Sequence, residues 1–115
     1  MAGQLARAVA HFIARCPYVR SIQNLLTRQR VVLEAGYILD LFFNEAQSNY
    51  SYTLIHENRR IIGWDNAPHH PDLTSSPHHF HREDGTVIPS ALIGVPEEDI
   101  EAVLAMLNQF LADRI

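Results

Sequence analysis

The sequence predicts an α+β domain, with a helix near each end of the chain and a four-stranded antiparallel meander sheet between them. Apolar residues recur at helical spacing over residues 3–16 and again from Pro96 onward. Between these stretches, segments that alternate polar and apolar residues are separated by short turns, which is typical of a meander. We therefore expect both helices to pack on one face of the sheet and to leave the other face open for a ligand or partner.

The two predicted helices are defined by their apolar stripes and their ends. The first stripe consists of Leu5, Ala8, Val9, Phe12, Ile13 and Cys16. Pro17 ends this helix because proline lacks a backbone donor and restricts the residue before it. At the start of the last helix, Pro96 suits the first turn and the acidic run 97–99 complements the helix dipole. The second stripe consists of Ile100, Val103, Leu104, Leu107, Phe110 and Leu111.

Four strands are predicted between the helices. They cover residues 20–34, 37–44, 50–56 and 59–65. Turns at residues 35–36 and 57–58 precede the second and fourth strands, since glycine accepts positive φ and asparagine bonds its own backbone. Residues 66–95 follow as a long His/Pro-rich loop, in which we expect one short strand over residues 86–90. A loop of this length is typical of a functional segment or of disorder.

Length, charge and cysteine content narrow the function classes. The 115 residues predict one domain, residues 1–115. The formal net charge of −4 argues against a protein that coats nucleic acid by bulk charge, although all nine cations are arginines, whose forks match phosphate geometry. The single cysteine, Cys16, excludes an intramolecular disulfide, so we expect a buried thiol and a cytoplasmic protein. No apolar run is long enough to span a membrane.

The segment 64–81 is the part of the chain that predicts chemistry. It holds five of the seven histidines, namely His69, His70, His78, His79 and His81. Histidine titrates near neutral pH and is the commonest side-chain metal ligand, so the cluster favours proton transfer or metal binding. A third interpretation stays open, in which these histidines only cap turns and bond backbone carbonyls in a proline-rich loop.

In the proton-transfer interpretation, the segment cleaves RNA without a metal. The reaction needs a base for the 2′-hydroxyl, an acid for the leaving oxygen and a cation for the charge on phosphorus. We expect the base and the acid among the five histidines, with His69 or His70 as the base and His79 or His81 as the acid. The candidates for the cation are Arg59, Arg60 and Arg82. The candidates for stacking on unpaired bases are Tyr50, Tyr52 and Trp64.

Asp65 directly follows the fourth predicted strand, and two roles are open for it. In the first, Asp65 and Asn66 form a turn in which their side chains bond nearby backbone groups. In the second, the Asp65 carboxylate accepts the ring N–H of a histidine and so orients that ring for catalysis.

In the metal interpretation, the same histidines are ligands and zinc is the expected cofactor. Side chains alternate along an extended segment, so His79 and His81 point to one side. We expect His69 to join them, with Asp65, Asp72 or His70 as other candidates. The spacing matches no standard zinc signature, and the chain has no cysteine pair. The proton-transfer interpretation, in contrast, requires no cofactor.

Four short stretches carry a resemblance to a known family. They are residues 50–52 (Tyr-Ser-Tyr), residues 62–71 (with the core Trp-Asp-Asn-Ala-Pro-His-His), residues 77–81 (Pro-His-His-Phe-His) and residues 87–90 (Val-Ile-Pro-Ser). Together they resemble the TumE-type toxin component of type II toxin–antitoxin systems over about residues 20–110. The chain departs from the family pattern at Ser76 and Phe80, where an aromatic and a basic residue are common.

The resemblance implies a small prokaryotic toxin paired with a helix-turn-helix antitoxin encoded beside it. Our main hypothesis for its activity is a metal-independent ribonuclease that acts through segment 64–81. The alternatives are a metal-dependent nuclease or hydrolase, and a non-enzymatic binding module whose histidine segment holds the antitoxin. Pairing of helices or edge strands would in addition make a homodimer.

Overall fold

A computed structural model describes residues 3–115, which form two helices and one sheet. The helices are α1 (Gln4–Arg15) and α2 (Pro96–Ala112). The strands are β1 (Val19–Leu25), β2 (Arg28–Leu33), β3 (Tyr37–Asn44), β4 (Asn49–His56), β5 (Arg59–Asp65), β6 (His79–His81) and β7 (Val87–Pro89). Each strand pairs antiparallel with the next. The predicted α+β meander is therefore confirmed, but the prediction of four strands was wrong, because the sheet has seven.

One additional strand comes from the stretch 20–34, which we predicted as a single strand. It is a hairpin of β1 and β2, in which Leu25 pairs with Arg28. The turn places Leu26 at φ 62°, a left-handed conformation that normally selects glycine or asparagine. Because a leucine occupies this position, the usual hairpin signal is absent and the polar–apolar pattern continues through the turn.

The other difference lies in the segment that we predicted as a loop. Residues His79–His81 form β6, which pairs with β5 so that Phe80 lies opposite Trp64. The predicted strand at 86–90 is present as β7 and pairs with β6. A three-residue strand preceded by prolines is too short for alternation to be recognised in the sequence. None of the helices in the described part of the chain is long and apolar enough to cross a membrane.

The core lies between the helices and one face of the sheet. Alternate residues of β2 and β4 are buried, as expected when one face packs and the other does not. In β3 and β5 the buried apolar residues also alternate, but Asp40 and Gly63 between them are buried as well. The strand residues of this core include Val31, Leu33, Leu39, Leu41, Leu54, Ile62 and Trp64, and the helices add Phe12, Val103, Leu107 and Leu111. Cys16 also belongs to the core, and burial raises the pKa of its thiol.

The two helices are tied to each other and to the preceding loop by polar groups. Arg7 of α1 donates to Glu97 of α2 at 2.9 Å. The buried carboxylate of Asp99, in the first turn of α2, accepts the backbone N–H groups of Ile93 and Gly94 at 2.9 and 2.7 Å. The acidic run at the start of α2 thus anchors the loop as well as complementing the helix dipole.

The opposite face of the sheet, called the open face from here on, is covered by neither helix and carries mostly polar side chains. Paired residues in neighbouring strands point to the same face, so the register alone assigns them. The open face therefore includes Arg28, Arg30, Asp40, Ser51, Thr53, Asp65, His79 and His81.

Leu107→Ala should lower the free energy of unfolding by about 2–5 kcal/mol, because it opens a cavity at a fully buried position between the helices and the sheet. Leu26→Ala is the matched control, since the same atoms are removed from a side chain that is 96% exposed. Urea unfolding measures both changes, and equal losses in the two variants would contradict the assigned core.

Leu26→Gly should raise the free energy of unfolding by about 0.5–1 kcal/mol. Glycine adopts positive φ without the steric cost that a Cβ brings, and the exposed leucine side chain contributes little packing. Thermal unfolding measured alongside Leu26→Ala separates the backbone effect from loss of the side chain. A glycine variant less stable than the alanine variant would argue against this turn.

Candidate functional site

Two rows of paired residues cross the open face side by side. From β2 to β6, the first row is Arg30, Asp40, Thr53, Gly63 and His81. The second row is Arg28, Phe42, Ser51, Asp65 and His79. Both rows therefore begin at an arginine on β2 and end at the histidines of β6. At strand spacings of about 4.8 Å, the two ends lie about 19 Å apart.

At the β6 end, Asp65, His79 and His81 form a compact group that we call the DHH cluster. The Nε2 atom of His79 lies 2.9 Å from Oδ1 of Asp65, and the Nε2 atom of His81 lies 3.0 Å from Oδ2. The two Nε2 atoms are 3.1 Å apart. Three groups that bind protons or metals thus converge on one point, as alternation predicts for the two histidines.

Asp65 forms the turn that the sequence left open, and it also lies beside two histidine rings. Its Oδ1 accepts the backbone N–H of Ala67 at 2.9 Å, which makes the side-chain-capped turn. The same carboxylate faces both imidazoles. Asn66 holds the turn against β4, because its side chain donates to the Ser48 carbonyl at 2.7 Å and accepts the Tyr50 backbone N–H at 3.0 Å. The Asp-Asn-Ala run therefore positions the carboxylate through local backbone bonds.

The ring of His79 is held in one orientation. Its Nδ1 lies 3.0 Å from the carbonyl oxygen of Pro77, and its side chain is only 2% exposed. A carbonyl oxygen only accepts, so Nδ1 carries a hydrogen and Nε2 is the nitrogen that faces the cluster. The Ser76–Pro77 peptide, which leads into this ring, is cis.

His81 differs from His79 in its electrostatic environment. Burial, together with the positive charge of Arg60, lowers the pKa of His81 below its ordinary value, and the bond to Asp65 offsets only part of this effect. Arg60 is thus the cation whose charge reaches the cluster. Arg59 lies opposite His56 in the β4–β5 strand pairing, and the ring of His56 stacks on Tyr37. Arg82 is exposed in the β6–β7 turn.

Of the remaining histidines in segment 64–81, one joins the cluster and two do not. The ring of His70 lies edge-on to His79, with centroids 4.7 Å apart, and 6.3 Å from His81. His69 is exposed and makes none of these ring contacts. His78 packs against Tyr50, whose hydroxyl oxygen lies 2.9 Å from the Nδ1 of the histidine. Within segment 64–81, His70 therefore lies with the DHH cluster on the open face, His78 contacts the core face, and His69 belongs to neither group.

The three aromatic residues that we expected to stack on bases lie on the core face. Tyr50, Tyr52 and Trp64 are 2%, 2% and 5% exposed, so their rings offer no free face to a nucleotide. Burial raises the pKa of both tyrosines well above its ordinary value. The two tyrosines stack on each other, and Trp64 packs against Phe80. In this structure they support the strands that carry the DHH cluster.

The metal set expected from the sequence is changed by one residue. His79 and His81 do converge, but Asp65 occupies the position that we expected for His69. Among the described residues, Asp65, His79 and His81 are the group whose ligand atoms lie within 4.8 Å of one another. Asp72, another candidate, is exposed in the loop.

The polar residues at the β2 end of the open face were not among the site residues that we predicted from the sequence. The buried carboxylate of Asp40 pairs with Arg28 and lies 3.7 Å from a guanidinium nitrogen of Arg30. Alternation within the predicted strands places these residues on the polar side, so that signal was available. Gly63 lies opposite His81 in the same row and is buried, and a Cβ there would meet the Tyr52 carbonyl oxygen at 3.0 Å.

Comparison with known proteins identifies one family. The family model described as Toxin TumE matches residues 9–114, which is nearly the whole chain and includes every residue of the open face and the DHH cluster. The resemblance found in the sequence motifs is confirmed by this match. No curated protein and no solved structure matches the chain.

Asn66→Ala should lower the free energy of unfolding by about 1–3 kcal/mol, because it removes two bonds that join the ends of β4 and β5 and leaves their backbone partners unpaired. Asn24→Ala, on the exposed strand β1, is the matched control. Thermal unfolding of both variants measures the difference. Equal stability of the two would mean that the Asn66 bonds do not hold the turn.

Proposed function

Because the chain belongs to the TumE toxin family, we propose that it is a toxin that cleaves RNA on the open face of the sheet. The observation that carries the proposal is the convergence of Asp65, His79 and His81 on this face. Family membership implies an antitoxin partner, and we propose that this partner is of the helix-turn-helix type and that both act in the cytoplasm.

The charge distribution of the open face supports an anionic, extended substrate. The chain as a whole has a net charge of −4, yet Arg28 and Arg30 lie at one end of the two rows and Arg60 acts on the other. The distance of about 19 Å between the two ends of the rows leaves room for several nucleotides of an extended, single-stranded RNA. The arginines would attract phosphate groups locally. The net negative charge of the whole protein, in contrast, would not hold a duplex nucleic acid.

The base-and-acid scheme expected from the sequence fits this geometry poorly. A general base and a general acid act from different sides of a phosphate. The rings of His70 and His79 are in direct contact, with centroids 4.7 Å apart, so no phosphate fits between this pair. His81 lies farther from His70, with centroids 6.3 Å apart, but its Nε2 atom faces the same carboxylate as the Nε2 atom of His79. We therefore propose that Asp65, His79 and His81 act as one unit on the substrate.

His70 and Arg60 are the neighbours placed to assist that unit. His70 lies at the edge of the cluster and is only partly buried, so it is accessible to a substrate that the deeply buried His79 cannot contact directly. Arg60 supplies a positive charge near His81, which would stabilise negative charge on a phosphate in the transition state. His69, His78, Arg59 and Arg82 have no role in this proposal.

Asp65→Asn should lower RNA cleavage by the purified protein by about 100-fold or more, because it removes the negative charge that both imidazoles face. The amide keeps an oxygen for the Ala67 N–H, so the turn and the fold should persist. Cleavage of total RNA, followed as fragment length against time, measures the effect, and growth after induction measures toxicity.

Asp72→Asn is the matched control for this prediction, since it makes the same substitution at an exposed position of the neighbouring loop. It should leave cleavage and growth arrest at wild-type levels. Single-stranded DNA serves as a second substrate, because cleavage of DNA at an equal rate would reject the assignment of RNA. Undiminished cleavage by Asp65→Asn would reject the proposed site.

A further inference from the structure

We propose that the DHH cluster is a binding site for one divalent transition-metal cation, held by the carboxylate of Asp65 and the Nε2 atoms of His79 and His81. The inference deepens the proposed function, because it assigns a cofactor to the same site and rests on that function for its role in RNA cleavage. Binding of the cation itself follows from the geometry alone and can be measured without RNA.

The spacing of the three groups matches a metal site. Ligand atoms at about 2.1 Å from a cation and at right angles to one another lie about 3.0 Å apart. In the cluster, the Nε2 atom of His79 lies 2.9 Å from Oδ1 of Asp65, the Nε2 atom of His81 lies 3.0 Å from Oδ2, and the two Nε2 atoms are 3.1 Å apart. With one ligand atom taken from each residue, the three atoms lie within 4.8 Å of one another, which leaves a cation room to draw them in. Two imidazoles and one carboxylate on one triangular face of an octahedron form a known ligand set for divalent iron and related cations, with the other positions open.

The hydrogen positions on His79 give an independent reason for a cation. Its Nδ1 carries a hydrogen, because the Pro77 carbonyl that it faces is only an acceptor. In the neutral ring, Nε2 then presents a lone pair, yet it lies 2.9 Å from a carboxylate oxygen, which is also an acceptor. Two acceptors at this distance repel unless a hydrogen or a cation lies between them.

A hydrogen between Nε2 of His79 and the Asp65 carboxylate would satisfy one contact of the cluster, but the cluster has three such contacts, at 2.9, 3.0 and 3.1 Å. A divalent cation satisfies both nitrogens and the carboxylate at once, and it uses each in the form that a metal requires, with a lone pair on nitrogen and a charge on oxygen.

The surroundings of the three ligands have the arrangement of a metal site. A metal-bound histidine normally donates its other ring N–H to a carbonyl or carboxylate, as His79 does to Pro77. The carboxylate ligand is in turn oriented by the Ala67 N–H. His70 lies beside the cluster, where it can contact a water molecule or a phosphate oxygen in an open coordination position.

The donor set selects the class of cation. Calcium and magnesium prefer oxygen ligands, whereas imidazole suits zinc, nickel, cobalt and iron. Cys16 is buried on the core face and does not belong to the site. In RNA cleavage, the cation would polarise a phosphate oxygen that enters an open position. Arg60 and the β2 arginines would attract the neighbouring phosphates.

The test measures metal binding by the full chain without a histidine tag. After removal of metal with a chelator, the protein is titrated with Co²⁺, Ni²⁺ and Zn²⁺ by calorimetry, and Co²⁺ is followed by its visible absorption. We expect one cation per chain and a higher Tm in its presence. Absence of binding by folded protein for all three cations would overturn the inference.

Variants locate the site. Asp65→Asn and His81→Gln should each weaken cobalt binding by at least about tenfold, with Asp72→Asn as the matched control that binds like wild type. Circular dichroism of each variant verifies the fold, and His81→Gln covers the case in which Asp65→Asn is unstable. Binding that both variants retain would overturn the site, as would a loss caused by His69→Asn and not by Asp65→Asn.

Two results separate this inference from the proposed function. RNA cleavage at full rate by metal-free protein in the presence of chelator would reject a metal-dependent reaction and leave the proposed ribonuclease function standing. One bound cation in a protein that cleaves no RNA would support the binding site and reject the ribonuclease function. Cleavage that stops with chelator and returns with one cation per chain would support both.

Discussion

The structure depends on the alternation of side chains along paired strands, because of which β5 and β6 contribute both to the core and to the DHH cluster. Trp64 and Asp65 are neighbours in β5, but one ring lies in the core and one carboxylate lies on the open face. In β6, Phe80 packs against Trp64 while the histidines on either side of it face Asp65. The hydrophobic contact that stabilises the β5–β6 pairing therefore also sets the geometry of the DHH cluster.

The Asp65 carboxylate makes contacts both with its own turn and with the neighbouring strand. It ends β5 by accepting the Ala67 N–H, and it faces two ring nitrogens across the pairing with β6. A buried or half-buried charge is tolerated when it is paired and hydrogen-bonded, and here the backbone N–H and the two imidazoles surround it. The net negative charge of the chain is compatible with the anionic substrate proposed above, because Arg28 and Arg30 lie at the far end of the open face and the charge of Arg60 acts on His81.

Local sequence patterns predicted most of the fold and, within the candidate site, the common orientation of His79 and His81. Both helices and the strand at Arg59–Asp65 follow from periodicity, prolines and turn residues. The β1–β2 hairpin was missed because Leu26 adopts a left-handed conformation that its residue type does not signal. His79 and His81 could be placed on one side by alternation, but the pairing of β5 with β6 crosses a loop, and no local pattern specifies that register.

The sequence by itself determined the α+β class and the family, and it singled out the segment that holds the candidate site, because periodicity and the Trp-Asp-Asn-Ala-Pro-His-His motif are local properties of the chain. The tertiary structure alone decided which histidines lie together. Pairing of Asp65 with His79 brings the carboxylate to the imidazoles, while His78 turns to Tyr50 on the core face and His69 stays exposed. The physical reason is that adjacent residues in a strand point to opposite faces, so partners are set by register across strands and not by proximity in the chain.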